Sequence, residues 1–545
     1  MTATAKNSAS PPAQQQSIHS LLSPKSNSRL IGISLALILF SFYSLYSYFQ
    51  YLHYHTPSWD LGIFSQLAQE YSQLHFPPTV DIKGAGFNLW GDHFHPILII
   101  LGPIYALFPS PATLLYVQNA LVAYSAYLVC RYAQQLVPPA GAIMLTTAYG
   151  LSFGVQNAVS VQFHEVAFAL PFLCASLGHI VLSRKSVEPV THLKRACYWA
   201  MPLAFVKEDL GITVAMIALV IALRAGTITC IHQRLFPSAA LVQPLSQRLL
   251  GAVGAINSKD GSLHAVLLLF WGLIWSLSAV LIILPAHNNG GVFDYSDKLN
   301  LAEVLSDPLQ SFGLLFYPWQ KTLTLVLLLF SGVFLWVLSP LALIALPTIL
   351  WRFLSPHEGY WAPTWHYSLV LMPIVFMALL DALLCTQRFA PLRYLGTKAQ
   401  HLFAISAQRA QELTRMSFLW LALLVVIASF PSQPLWNITR EGFLSSSLSL
   451  DERDKQQALE SIPTHSSVAS DLSLLTYLVP ERQVFWIGDK THHAHPEYVV
   501  IDRAGGGWGK SAPQNPARYA HEHFGGDYRE YQRFGTIYVL QRVEQ

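Results

Sequence analysis

The sequence predicts an α-helical protein that crosses a membrane about eleven times and ends in a small α/β unit. Three observations lead there. Of its 545 residues, 52% are apolar and only 12% charged, against the roughly 25% charged residues of a soluble domain. The mean hydropathy is +0.37. Apolar runs recur through residues 30–431, several long enough for about 30 Å of hydrocarbon, whereas residues 432–545 are charged and mixed. A net charge of +3, dispersed along the chain, excludes a nucleic-acid-binding surface. Cys130, Cys174, Cys197, Cys230 and Cys385 show no CxxC spacing, which excludes a zinc site or disulfide framework of the usual kinds.

Residues 1–29 are rich in Ser, Gln, Ala and Pro and read as a disordered cytoplasmic tail. Leu30–Tyr51 is too long for a cleaved signal and is expected to be a retained first helix. Lys6, Lys25 and Arg29 precede it, which places the N-terminus in the cytoplasm. The loop 53–96 then lies outside. Within it, apolar residues at 61, 63, 64, 67, 68 and 71 have helical spacing, suited to a helix lying in the membrane interface.

Further spans are expected at Ala112–Arg131, Ala140–Val155, Val166–Leu182, Leu263–Leu284, Thr322–Leu338, Leu341–Trp351, Tyr367–Leu384 and Phe418–Phe430, the last of them short. The basic loops Arg184–Arg195, Arg224–Lys259 and Arg388–Arg415 belong inside. Ile97–Phe108 holds Pro103 and is too short to cross, so a juxtamembrane or half-inserted helix is expected. Cys197–Leu223 is interrupted by Lys207-Glu208-Asp209. Each such charge costs about 2.5 kcal/mol or more in a lipid-facing helix. Two half-helices with the triplet at their apex, facing a polar cavity, avoid that cost. The scheme gives eleven passes through the plasma (inner) membrane and an external C-terminus.

This topology gathers scattered polar residues at the external face: Asp60, Asp92-His93-Phe94-His95, His164-Glu165, Lys207-Glu208-Asp209 and His357-Glu358. Each has a plain structural reading. Asp60 can cap the loop helix. His93 and His95 form an H-x-H pair, a weak metal signal. Glu165 suits the positive end of a helix dipole. Lys207 can neutralise Glu208 and Asp209. Their convergence on one face favours an active or binding site. In residues 432–545, strands are expected at Ser467–Ala469, Val484–Ile487, Val499–Ile501 and Ile537–Leu540, with helices at Asp451–Ser461 and Leu472–Leu478. His492, His493, His495 and Glu497 read as a solvated loop before a metal site, and Gly505-Gly506-Gly507 lacks the helix and GK[ST] ending of a phosphate loop.

Trp59-Asp60-Leu-Gly-Ile-Phe, Gly91-Asp92-His93-Phe94-His95-Pro96, Phe163-His164-Glu165, Lys207-Glu208-Asp209-Leu210 and Trp365-His366-Tyr367 carry a resemblance. In this order the chain resembles a family of predicted bacterial membrane proteins grouped with the C-type glycosyltransferase superfamily, which includes protein O-mannosyltransferases and aminoarabinose transferases. The resemblance covers most of residues 30–500. It implies a glycosyltransferase-like helical fold and transfer of a sugar from a polyprenyl-phosphate donor to an acceptor, in the cell envelope. By this resemblance Asp60 and Glu165 take the catalytic positions. Lys207, Glu208, Asp209, Arg352 and His366 would bind phosphate or substrate. A divalent metal would sit among Asp92, His93, His95 and His164, with Glu165 a further ligand, and no nucleotide cofactor is implied. The sequence departs from the superfamily in carrying His-Glu at the second acidic position and a His-rich motif before Pro96. A transporter or flippase, moving a lipid-linked or polar solute, is the competing class; a catalytically silent membrane scaffold is the third.

Overall fold

The computed structural model describes residues 24–227, 256, 258–288, 290–291, 306–385, 390–488, 494–508 and 511–543. Among them five helices are long and apolar enough to cross a membrane: Ser28–Leu52, Pro111–Ala133, Glu165–Leu182, Lys259–His287 and Ala407–Ser432. The bent pair Glu358–Ser368 and Leu371–Leu384 makes a sixth if taken as one span. The other expected passes are shorter or broken. Ala140–Val155 divides into the helices Pro139–Gly150 and Phe153–Ser160. Thr322–Leu338 stops at Ser331, because Val333 and Phe334 turn to positive φ. Leu341–Trp351 falls in the short apolar stretch Pro340–Leu354, whose first turns are 3₁₀. Phe418–Phe430 is longer than expected: Ala, Gln, Glu and Leu from Ala407 onward are good helix formers and extend it.

Local chemistry sets the ends. Ser110 caps Pro111–Ala133, where Pro111 takes the first position that needs no N–H donor. Leu210–Ala225 ends at Gly226, whose φ of +78° suits a residue without Cβ. Between Pro189–Ala200 and Leu210–Ala225 the chain passes through a 3₁₀ turn and then leaves helix at Val206–Asp209. The expected break is therefore present at the ionisable triplet. Ile97–Phe108 is likewise a short helical stretch, Pro96–Leu107.

Residues after 432 build a five-stranded sheet in the order β2-β1-β3-β5-β4. The strands are β1 (Ser467–Ser470), β2 (Gln483–Trp486), β3 (Tyr498–Asp502), β4 (Tyr528–Phe534) and β5 (Ile537–Arg542). The first three run parallel, and β5 pairs antiparallel with both β3 and β4. β1, β2, β3 and β5 coincide with the apolar runs read as strands. β4 escaped notice because its sequence, YREYQRF, is polar and its middle residues are exposed at the sheet edge. The helix Leu450–Ser461 opens with a capping box between Ser449 and Glu452. The second expected helix shrinks to Leu475–Leu478. His492 and His493 lie outside the described residues. His495 hydrogen-bonds the Phe524 carbonyl, and the Glu497 N–H donates to Ser467 Oγ.

The helix Trp59–Ser72 differs most from expectation. It is enclosed by protein, with Leu61, Ile63, Phe64, Leu67, Ala68 and Tyr71 buried. One side meets the helical part, where Phe64 packs edge-on against Phe163. The other meets the sheet region: Gln66 Nε2 donates to the Val484 carbonyl at 2.9 Å, and Thr476 Oγ1 to that of Ser58 at 3.0 Å. Its cap is Ser58, whose Oγ accepts from Leu61 N, so Asp60 is not spent on capping.

Glycines bring the helices Leu210–Ala225 and Lys259–Ser278 into backbone contact. A Cβ on Gly211 would lie 2.5 Å from the Gly272 carbonyl oxygen, and one on Gly272 would collide with that of Gly211. Gly272→Leu is therefore expected to lower stability by about 1–3 kcal/mol through overpacking, read as a fall in thermal midpoint of the detergent-solubilised protein.

Candidate functional site

Seven chain segments line one cavity of about 720 Å³. They are the start of Trp59–Ser72, the loop 83–95, the entry to Glu165–Leu182, the break at 207–209 with Ile212 just after it, Ser276 and Val280 of the span Lys259–His287, Trp351, and the approach 357–367 to the Leu371–Leu384 helix. Asp60, Asp92, His93, His95, His164, Glu165, Lys207, Glu208, Asp209 and His366 all reach its wall. Arg352 does not. It is fully buried, with Nε on the Tyr360 carbonyl at 2.6 Å, Nη1 on the Tyr367 carbonyl at 2.9 Å and Nη2 on Ser368 Oγ at 3.3 Å. These bonds satisfy backbone carbonyls where the chain bends before Leu371, so its assignment as a phosphate ligand is corrected to a structural one.

Most charges on the wall are paired. Lys207 Nζ lies 2.6 Å from Glu165 Oε1, both well buried. Glu208 takes His93 Nδ1 at 2.9 Å on one oxygen and the Phe94 N–H at 3.0 Å on the other. Its carboxylate thereby fixes the loop that holds the H-x-H pair. Asp92 pairs with Lys83 at 2.5 Å. Lys83 was not singled out in the sequence, although it is the only Lys or Arg in the loop 53–96. Aromatic residues Trp59, Trp351, Tyr360, Trp365 and Tyr367 supply much of the remaining wall.

Three carboxylates on the wall, Asp60, Glu208 and Asp209, have no lysine or arginine partner among the described residues, and of these Glu208 is held by His93 and the Phe94 N–H. Asp209 Oδ1 is buried without a hydrogen bond among the described residues. The Asp60 side chain is 40% exposed, and its Oδ2 stands 3.4 Å from His164 Nε2. His164 in turn stacks on His366 with ring centroids 3.5 Å apart. Among the described residues, His164 Nε2 and His366 Nδ1 are buried without hydrogen bonds. Three unsatisfied polar atoms thus line one cavity, where a hydroxyl-bearing ligand or water can satisfy them.

The loop residues show how the wall is charged. Burial alone would push the Asp92 carboxyl up, but His93 and Lys83 outweigh it and hold it below the usual carboxylate range. For His93, burial and Lys207 oppose the charged form, and the carboxylates of Glu208 and Asp92 outweigh them, raising its pKa. Burial pushes His95 down to about 4, so that it is neutral near pH 7. Among the described residues no three His, Cys, Asp or Glu side chains form a group that could hold a metal ion. Asp92 is turned to Lys83 and His93 to Glu208, so the set expected to ligate a metal does not fit one.

Residues 51–537 match the model of the family described as "Predicted membrane protein (DUF2079)". The chain belongs to this family. No curated protein matches it. Among solved structures, the crystal structure of ArnT from Cupriavidus metallidurans bound to undecaprenyl phosphate is similar over 95% of this chain and 98% of that one. The identity is 9% and the TM-score 0.47, a level at which the likeness carries no chemistry from one chain to the other. The DUF2079 chain is thus a membrane protein with a buried, charge-paired cavity.

Removing one partner of the buried Lys207–Glu165 pair leaves the other charge uncompensated. Lys207→Met should cost about 3–5 kcal/mol, and Glu165→Leu added to it should restore most of the loss, as read by thermal unfolding of the three proteins. His93 supplies a pH test. Its pKa is raised above 6.5, so its stabilising contribution is complete below that pH and is lost as pH rises through the raised value. Wild-type thermal stability should fall on that alkaline side, and Glu208→Gln should flatten the fall.

Proposed function

We propose that this protein is a membrane glycosyltransferase that moves a sugar from a polyprenyl-phosphate carrier to an acceptor at the external face. The observation that carries the proposal is the state of Asp60. It is the half-exposed carboxylate on a wall where Glu165, Asp92 and Glu208 are each held by a cationic or imidazole partner. A general base needs a reachable carboxylate, and Asp60 is 40% exposed, with His164 Nε2 3.4 Å from its Oδ2.

In the reaction, the acceptor hydroxyl or amine gives its proton to the Asp60 carboxylate as its oxygen or nitrogen bonds to the anomeric carbon. The bond from that carbon to the phosphate oxygen breaks, and the polyprenyl phosphate leaves with the electron pair. Lys207 and Lys83 stand on the same wall and offer positive charge to the phosphate, by sharing with their carboxylate partners. Asp209 Oδ1 and His366 Nδ1, without hydrogen bonds among the described residues, and His164 Nε2 beside Asp60 suit sugar hydroxyls. Trp59 and Trp365 offer apolar faces to a sugar ring. Ile212 lines the cavity while 45% exposed on its helix, which gives a lipid chain an apolar route in. No step runs through a metal, since the residues present do not form a site for one.

The test is transfer by the purified protein in bilayer discs, given polyprenyl-phosphate sugars and a panel of hydroxyl and amine acceptors. Asp60→Asn is expected to lower transfer by about 10²- to 10⁴-fold. Equal, nonzero transfer by wild type and Asp60→Asn would sink the assigned base. Movement of the lipid-linked sugar across the bilayer without transfer would favour the flippase reading.

A further inference from the structure

We infer that the end of the helical bundle remote from the cavity carries a binding site for the phosphodiester headgroup of an anionic phospholipid. Glu165, on the cavity wall, begins the span Glu165–Leu182, and Lys185 lies just past its other end. An eighteen-residue helix is about 27 Å long, so the two ends are a bilayer core apart. Beside Lys185 is a second cleft, of about 420 Å³, lined by Gln134, Gln408, Gln411, Glu412 and Arg415 among others. The spans Pro111–Ala133 and Glu165–Leu182 end here, and Ala407–Ser432 begins here. This cleft lies outside the site described above and shares no residue with it.

Three features select an anion. Lys185 and Arg415 line the cleft and Glu412 faces both, leaving one net positive charge, the complement of a phosphodiester. Two helices start at it. Pro139–Gly150 begins after Pro138, which lines the cleft and provides no capping side chain, and Ala407–Ser429 begins just before Gln408. Each contributes the positive end of its dipole. Finally, the Gln134 side chain is buried at both Nε2 and Oε1 without a hydrogen-bond partner among the described residues. A buried amide with neither donor nor acceptor used is costly unless a ligand or water completes it.

Position selects a lipid over a free phosphate. The cleft lies where three spans leave the hydrocarbon, which is the level of lipid phosphates. The neighbouring helix Ala390–Phe403 packs against Ala407–Ser429 and leaves Tyr394, Leu395, Leu402 and Phe403 exposed. Arg393 and Lys398 stand on the same helix, the pattern of a segment resting on an anionic membrane surface.

The test measures binding of phosphatidylglycerol to the full-length protein in detergent by native mass spectrometry, with phosphatidylcholine and inorganic phosphate as comparators. Wild type should bind phosphatidylglycerol in preference to phosphatidylcholine. Lys185→Gln should weaken it about five-fold, and Lys185→Gln with Arg415→Gln about twenty-fold or more. Arg415 Nε also holds the Leu383 carbonyl at 3.0 Å, so the double variant can lose fold as well as charge. Glu412→Gln answers that: it removes an exposed negative charge and should tighten phosphatidylglycerol about five-fold. Unchanged binding in Lys185→Gln and Glu412→Gln would overturn the proposal. So would full competition by equimolar inorganic phosphate, which would make the ligand a soluble anion.

Discussion

Three consecutive ionisable side chains, Lys207, Glu208 and Asp209, stand in an otherwise apolar stretch, and lipid would penalise each of them heavily. The chain answers by leaving helix at Val206–Asp209 and turning the triplet into protein. Two of the charges then draw in a distant segment. Lys207 reaches Glu165 at the head of another span, while Glu208 holds His93 and the Phe94 N–H in the first long loop. Asp209 faces the cavity with an oxygen unspent. The cavity wall is in this sense the set of partners that the triplet requires.

The second constraint is the clamp on the helix Trp59–Ser72. The sheet region grips it through Gln66 and Thr476, and His53 adds a contact with Glu452, 3.0 Å away. Trp59 packs near Trp486 with ring centroids 5.2 Å apart. Ser58 caps the helix, which leaves the neighbouring Asp60 turned to the cavity. The residues after 432 therefore do more than decorate the chain. They hold the loop helix so that one carboxylate is placed at the mouth of the site.

Reading the site from sequence succeeded where cost was local. A charged triplet in an apolar run announces its own break, and a loop holding Asp-His-Phe-His before Pro announces a polar wall. It failed where the partner depended on how the chain bends. Arg352 looks like a phosphate ligand beside a loop, yet its guanidinium is consumed by carbonyls at a bend that only the fold creates. Asp92 and His93, which look like metal ligands, are instead committed to Lys83 and Glu208. Lys83 itself drew no attention because a single lysine in a loop has no periodicity to mark it.

The sequence by itself determined the membrane class, the break at 207–209, four of the five strands and most of the Asp, Glu and His residues that meet at the cavity. Those follow from transfer free energy, side-chain period and the cost of buried charge, all of which act over short stretches of chain. Only the tertiary structure decided which charge pairs with which, which carboxylate stays open, and where helices such as Pro139–Gly150 stop. Pairing depends on contacts across the fold, 42 positions apart for Lys207 with Glu165 and 115 for His93 with Glu208, and no local pattern encodes those distances.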